Sequence, residues 1–272
     1  MSDSNPKILH FHKLGHGPNI LLAFHGIGQD GISCFQPFVN QLQNHYTIYA
    51  FDLFFHGKSI EESTINFSKN EIITKEIWTQ TIQEFLIKEN ISRFDIAGFS
   101  MGGRFALATL ESFSSQIDKA FLIAPDGVSE HPLYTLASQF KPTRNLFHWF
   151  MQNPKTFFKA VNTFQKAGLV HSSLYRFTQN VLNTPEKRQS IYNSWIAFRK
   201  LRFDIPILYQ KIKSDQVDLY LFVGKYDKLL KVSAVKQLAD LLPPDSFIIL
   251  QSGHSQLVEK VGVYLNQATN NG

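Results

Sequence analysis

The sequence predicts an α/β architecture: a mostly parallel sheet with helices on both faces, interrupted by one inserted all-helical cap. Three observations carry that expectation. Short β-branched or aromatic runs bounded by Gly, Pro or Asp alternate with helix-like stretches, the pattern of buried parallel strands joined by crossover helices. The alternation stops between about Asp126 and Lys213, where helix signals multiply and no convincing strand is readable. One strand runs into a Gly-x-Ser-x-Gly turn and on into a helix-like segment. A chain of 272 residues can bury roughly three quarters of its unfolded surface, so one large core carrying an insertion needs no covalent staple.

Along the chain, the first strand-like stretch carries His10 and His12 on one face. Two histidines so placed could ligate a metal, but an exposed strand surface is the plainer reading. Ile20 to Phe24 and Thr47 to Phe51 follow as buried strands. Ser68 and Glu71 form a capping box ahead of Ile72, Ile73, Ile77, Ile82, Phe85 and Leu86, which predicts a helix on the sheet up to about Lys88. Phe94 to Ala97 and Ala120 to Ile123 are the next strands. Inside the insertion, Asn153 and Pro154 stand at the cap and first position of a helix that carries Phe157, Phe158, Val161 and Phe164 and ends at Gly168,. Thr184-Pro185 repeats the device, with Ile191, Trp195 and Phe198 on one face. Leu219 to Val223 and Phe247 to Leu250 complete the sheet. The core is therefore expected from residues 1–125 and 214–272, and the cap from 126–213.

Composition narrows the function classes. Hydrophobic residues at 43% and charged residues at 18% give a packed globule rather than a disordered chain. The single cysteine, Cys34, rules out a disulfide scaffold and a zinc ribbon and fits a reducing compartment. With no base near it in the sequence, Cys34 reads as packing. The start, Met1-Ser2-Asp3-Ser4-Asn5-Pro6, is polar and carries no readable secretory signal. No apolar run approaches the ~18 residues of a spanning helix. A soluble cytoplasmic protein is expected.

The chemistry-bearing segment is Asp95-Ile96-Ala97-Gly98-Phe99-Ser100-Met101-Gly102-Gly103-Arg104. A sharp strand-to-helix turn lifts the serine hydroxyl out at the sheet's edge, and glycines two residues to either side make room for a strained backbone. Four further landmarks stand in order along the chain: His25-Gly26-Ile27-Gly28, Asp52-Leu53-Phe54-Phe55-His56-Gly57-Lys58-Ser59, Val223-Gly224-Lys225-Tyr226-Asp227 and Ser252-Gly253-His254. With its serine turn, the chain resembles the α/β-hydrolase family, whose nucleophile, acid and histidine occur in that order.

The resemblance implies a serine hydrolase acting on carboxylic esters or thioesters through an acyl-enzyme. Ser100 would be the nucleophile and His254 its general base. Asp227 would orient and stabilise the imidazole, with Asp126, directly after the strand ending at Ile123, as the rival acid. Backbone N–H groups of Ile27 and Met101 would hold the oxyanion. His25 and His56 look like the family's structural histidines. A narrower reading arises because Gly98-Phe99-Ser100-Met101-Gly102-Gly103-Arg104 is also similar to the elbow of the menaquinone-pathway lyase, which would place Arg104 against an anionic substrate. Ala124-Pro125-Asp126-Gly127-Val128 departs from that enzyme's Glu-Gly-Gly stretch. A hydrolase-fold binding module with little turnover is the non-enzymatic alternative.

No phosphate loop, Cys/His cluster or dinucleotide fingerprint is present, so no cofactor and no metal is expected. Charge is segregated. From Gly127 to Lys213 there are thirteen Lys and Arg against three acids, a net +10, while the whole chain is only +5. The same segment holds nine phenylalanines with Trp149 and Trp195. Such a cap has three readings: a solvated face, an attractor for an anionic small-molecule acyl substrate, or a peripheral membrane contact. Nucleic acid is not expected, since no binding motif accompanies the charge.

Overall fold

The structure, a computed structural model, describes residues 9–62, 72–130, 132–168 and 170–270. Seven strands form one sheet: β1 (Phe11–Gly15), β2 (Asn19–Phe24), β3 (Tyr46–Phe51), β4 (Phe94–Phe99), β5 (Ile117–Ile123), β6 (Asp218–Gly224) and β7 (Phe247–Leu250). Their spatial order is β1-β3-β2-β4-β5-β6-β7. β1 runs antiparallel to β3 and the other neighbours are parallel. The six buried runs expected from sequence are the six parallel strands, and β1, which takes in His12 and starts just after His10, supplies the antiparallel edge.

The sheet is clothed by α1 (Gly31–Leu42), the short α2 (Ser59–Glu62), α3 (Lys75–Lys88) and α4 (Met101–Phe113). Between β5 and β6 come α5 (Pro132–Gln139), α6 (Lys141–Gln152), α7 (Pro154–Lys166), α8 (Ser172–Val181), α9 (Pro185–Ala197) and α10 (Ile205–Ser214). The short α11 (Lys236–Ala239) and α12 (Leu257–Asn270) follow. Alternation along β2 shows how the sheet divides the core. Leu22 and Phe24 join one cluster with Trp78, Phe105 and Leu208, whereas Leu21 and Ala23 join the other with Phe35, Phe38 and Val261. Successive side chains point to opposite faces, so a strand covered on both sides must be apolar throughout. β4 is buried at all six positions.

Local chemistry sets the helix starts. Asp30 and Ser33 form a reciprocal capping box at α1, and Asp204 accepts from the Ile207 amide at 3.1 Å to start α10. The expected box at Ser68 and Glu71 lies outside the described residues. α3 itself begins at Lys75, where Thr74 accepts from the Ile77 amide at 3.3 Å, so Ile72 and Ile73 precede the helix rather than ride on it. Trp78 then bonds Thr109 of α4 at 2.9 Å, tying the two helices together.

Within the insertion, Thr184 caps α9 as its sequence predicts. Asn153 does not cap α7 with its side chain; its amide turns back to donate to the Trp149 carbonyl at 2.8 Å. α6 to α9 form a small core of their own around Met151, Leu182 and Ile191, against which Ile27 packs. α10 differs. Its Ile205, Leu208 and Ile212 belong to the main core, and Lys211 bonds the last-turn carbonyl of Glu111 on α4. The stretch 126–213 thus holds helices grouped around Ile27 and one helix that packs against the sheet layer. Among the described residues, no helix is long and apolar enough to cross a membrane.

Candidate active site

The parallel strands bring their C-terminal ends to one edge, and the three residues singled out from sequence follow β4, β6 and β7. Ser100 sits between β4 and α4 at φ 51°, ψ −117°, a left-handed conformation that costs energy for a residue with a Cβ. The turn is held from several sides. The Ser100 amide donates to the Ile123 carbonyl at 3.0 Å, and its own carbonyl accepts from Gly103 at 2.9 Å and Asp126 at 2.8 Å. Both signature glycines are required by packing: a Cβ on Gly102 would lie 1.9 Å from the Phe24 carbonyl oxygen, and one on Gly98 would lie 2.6 Å from the Ala106 Cβ.

His254 Nε2 lies 3.1 Å from the Ser100 hydroxyl oxygen, and its Nδ1 lies 2.6 Å from Asp227 Oδ2. Asp227 is fixed as well as close. Its other oxygen accepts from the amides of Leu229 at 2.8 Å and Leu230 at 2.9 Å, and its side chain has no exposed surface. Backbone bonds from Lys225 to Leu250 and from Tyr226 to Ser252 lash the acid's loop to the histidine's loop. With Nδ1–H donating to the carboxylate, Nε2 is the acceptor facing the serine. The arrangement can therefore take the hydroxyl proton and stabilise the imidazolium that results.

Facing the serine is the loop after β2. Ile27 lines the cavity, and Met101 is the first residue of α4, one of the early amides that have no acceptor in a preceding helical turn. His25 donates from Nδ1 to the Gly26 carbonyl at 2.7 Å and accepts the Leu53 amide at Nε2, 3.0 Å away. His56 donates from Nδ1 to the Phe54 carbonyl at 2.9 Å and accepts the Gly28 amide, 3.2 Å away. Each ring accepts a backbone amide from the other's loop, so the pair joins the 25–28 loop to the 53–56 loop. That is the structural role expected of them.

These bonds need neutral rings. Burial lowers the His25 pKa to about 4, and burial together with neighbouring His25 lowers that of His56 to about 3. An unfolded histidine protonates near 6.5. The unfolded chain thus binds protons that the fold refuses, and stability is present above pH 6.5 and lost as pH falls toward 4. We expect the melting temperature to drop across that window. The two imidazoles should also show no NMR titration between pH 8 and 5; a midpoint near 6.5 for either would contradict their staple role.

Arg104 is placed differently from its expected substrate contact. It is 1% exposed. Its Nε and one terminal nitrogen each bond Asp126 at 3.0 Å, and the other terminal nitrogen bonds Glu130 and the Leu201 carbonyl, both at 2.8 Å. Burial works to lower its pKa, but Asp126 and then Tyr134 and Glu130 outweigh it and the pKa is raised. Four of its five N–H donors are so occupied,, and Arg104 is not among the residues lining the cavity at Ser100. The same contacts take up Asp126, which pairs with Arg104 while Asp227 pairs with His254. Arg104→Met should destabilise the protein by about 3 kcal/mol in urea unfolding, because it strands two carboxylates around a buried site. A loss below about 1 kcal/mol would contradict that account.

The cavity at Ser100 and His254 measures about 410 Å³. Its floor includes Gly26, Ile27, Phe99 and Gly253, and one side is the loop carrying Tyr226, Lys228 and Leu229. The other wall is α8, through Ser173, Arg176, Phe177, Asn180 and Val181. These α8 positions recur at three- and four-residue spacing, which is one helix face. Sequence reasoning missed them, although that periodicity was readable. Elsewhere, His10, His12 and Asp52 form a cluster of metal-ligating types, but the Asp52 carboxylate already accepts from the Gly31 and Lys58 amides and lies 3.2 Å from His12 Nε2.

A family model described as the alpha/beta hydrolase fold matches residues 19–261. No curated protein matches the chain. Among solved structures, it resembles an esterase from Thermogutta terrifontis at 17% identity over 97% of this chain and 92% of that one, with a TM-score of 0.65. A hydrolase from Oleispira antarctica is 17% identical over 96% and 95% of the two chains, with a TM-score of 0.63. The enol-lactonase from Burkholderia xenovorans is 16% identical over 96% and 95%, with a TM-score of 0.61. At such identities the likeness is one of fold. The family model covers most of the chain, from β2 into α12, and on that match the chain belongs to the alpha/beta hydrolase fold family.

Proposed function

We propose that the protein is a serine hydrolase that cleaves small carboxylic esters or thioesters through an acyl-enzyme. The observation that supports this reading is the bridging imidazole of His254, 2.6 Å from Asp227 and 3.1 Å from Ser100 at the floor of a cavity. As the Ser100 oxygen attacks the acyl carbon, its proton passes to His254 Nε2 and the carbonyl electrons move onto the carbonyl oxygen. Amides of Ile27 and Met101 stabilise that oxyanion. Collapse of the intermediate expels the alkoxide or thiolate, which takes the proton from His254. Water then enters, gives its proton to the same nitrogen and attacks the acyl-enzyme. The carboxylic product leaves and Ser100 recovers its proton.

Helices α5 to α9 act in this reading as the cap, with α8 as the wall that shapes the acyl pocket. Arg104 is engaged by Asp126 and Glu130, which counts against the lyase reading. The test is labelling of Ser100 by a fluorophosphonate probe together with turnover of short-chain esters. Absence of both would favour a ligand-binding module.

A further inference from the structure

Hydrolysis needs a nucleophile, a base and an oxyanion site; it does not need the charge that surrounds them here. Arg176 of α8 and Lys228 of the loop after β6 both line the cavity, and among the described residues no aspartate or glutamate lines it. Both are exposed. Among the described residues neither takes part in an ion pair, whereas Lys75, Arg93, Arg104, Arg202 and Lys236 all pair with carboxylates. Asp227 neighbours Lys228 in the chain, but its oxygens are engaged by His254, Leu229 and Leu230. The N-terminus of α4, with its positive dipole end, opens at Ser100 beside the same space,. A cavity with two unpaired cations and no anion attracts a negative group.

We propose that Arg176 and Lys228 form an anion subsite that selects esters bearing a carboxylate. The inference rests on the hydrolytic reading of Ser100 and His254 and adds the substrate class. Arginine presents a planar fork that matches a carboxylate with two parallel bonds, and lysine supplies a second, mobile donor. Phe177 and Leu229 line the same cavity and offer apolar wall for a short linking chain. A cavity of about 410 Å³ suits a small substrate of this kind. The exposed lysines of α7, Lys155, Lys159 and Lys166, do not line the cavity, so the selective charge belongs to two named residues and not to the insertion as a whole.

The experiment compares methyl hydrogen glutarate, whose acyl part carries the carboxylate, with its uncharged isostere methyl 4-carbamoylbutanoate, and 3-acetoxypropanoate, whose alcohol part carries it, with 3-acetoxypropanamide. At least one charged ester should exceed its neutral partner by about tenfold or more in kcat/KM, and the excess should shrink as salt rises. Arg176→Gln and Lys228→Gln should each cut that ratio several-fold, mainly through KM. Lys166→Gln should leave it intact. Equal kcat/KM within both pairs, or a ratio that survives both cavity variants, would overturn the subsite. So would an equal fall in Lys166→Gln, which would assign the effect to diffuse surface charge. A second readout does not depend on turnover. Glutarate should raise the melting temperature more than glutaramide does, and Arg176→Gln should remove the difference. If the esters are not cleaved and fluorophosphonate fails to label Ser100, the hydrolytic reading falls, while the glutarate shift still decides whether the anion subsite stands.

Discussion

Ser100→Ala should lose ester turnover by on the order of a millionfold, the scale of removing a triad serine, and should lose fluorophosphonate labelling completely. The reason is local. Ser100 occupies the tip of the turn between β4 and α4, and its hydroxyl oxygen is the group 3.1 Å from His254 Nε2. Alanine keeps the Cβ and therefore keeps whatever strain the positive φ of 51° imposes. The backbone bonds to Ile123, Gly103 and Asp126 do not involve the hydroxyl. Thermal unfolding should accordingly stay almost unchanged, which separates loss of the nucleophile from loss of the fold. Persistent labelling of the variant by the probe would move the nucleophile to another residue.

How much of this was legible in the sequence depends on whether a feature is local. Gly98 and Gly102 declare the turn around Ser100 because close packing against Ala106 and Phe24 leaves no room for a Cβ at either, and a steric demand of that kind fixes residue type. Buried strands announce themselves as apolar runs for the same reason. The start of α3 was misplaced because Ile72 and Ile73 continue the helical spacing of apolar residues, while Thr74 supplies the observed cap. Arg104 could not be read from its neighbours in the chain. Its partners Asp126, Glu130 and Leu201 lie 22, 26 and 97 residues away, and only the tertiary fold shows that its donors are already engaged. The α8 wall was missed for a related reason: its periodicity identifies a face, but not what the face looks onto.

Asp227→Asn should lower turnover by about ten-thousandfold, as the corresponding change does in the reference serine protease, whereas Asp126→Asn should lower it only slightly. The hydrogen bonds around Asp227 explain why an isosteric change is so costly. Oδ1 accepts from the Leu229 and Leu230 amides, so in the asparagine variant the carbonyl oxygen must stay there and the NH₂ group takes the place of Oδ2. That group then donates toward His254 Nδ1, which can no longer carry its proton. The imidazole is forced into the other tautomer, with hydrogen on Nε2 facing Ser100, and a protonated nitrogen cannot accept the serine's proton. The barrier rises although no atom has moved far, and the melting temperature should change little. Asp126 presents the opposite profile. Its carboxylate holds the Arg104 guanidinium through two bonds of 3.0 Å, so Asp126→Asn should show its effect in urea unfolding, with kcat within a few-fold of the parent. Measuring kcat and unfolding free energy for both variants tests the assignment on two axes. A severe kcat loss in Asp126→Asn with near-normal turnover in Asp227→Asn would transfer the orienting role to Asp126.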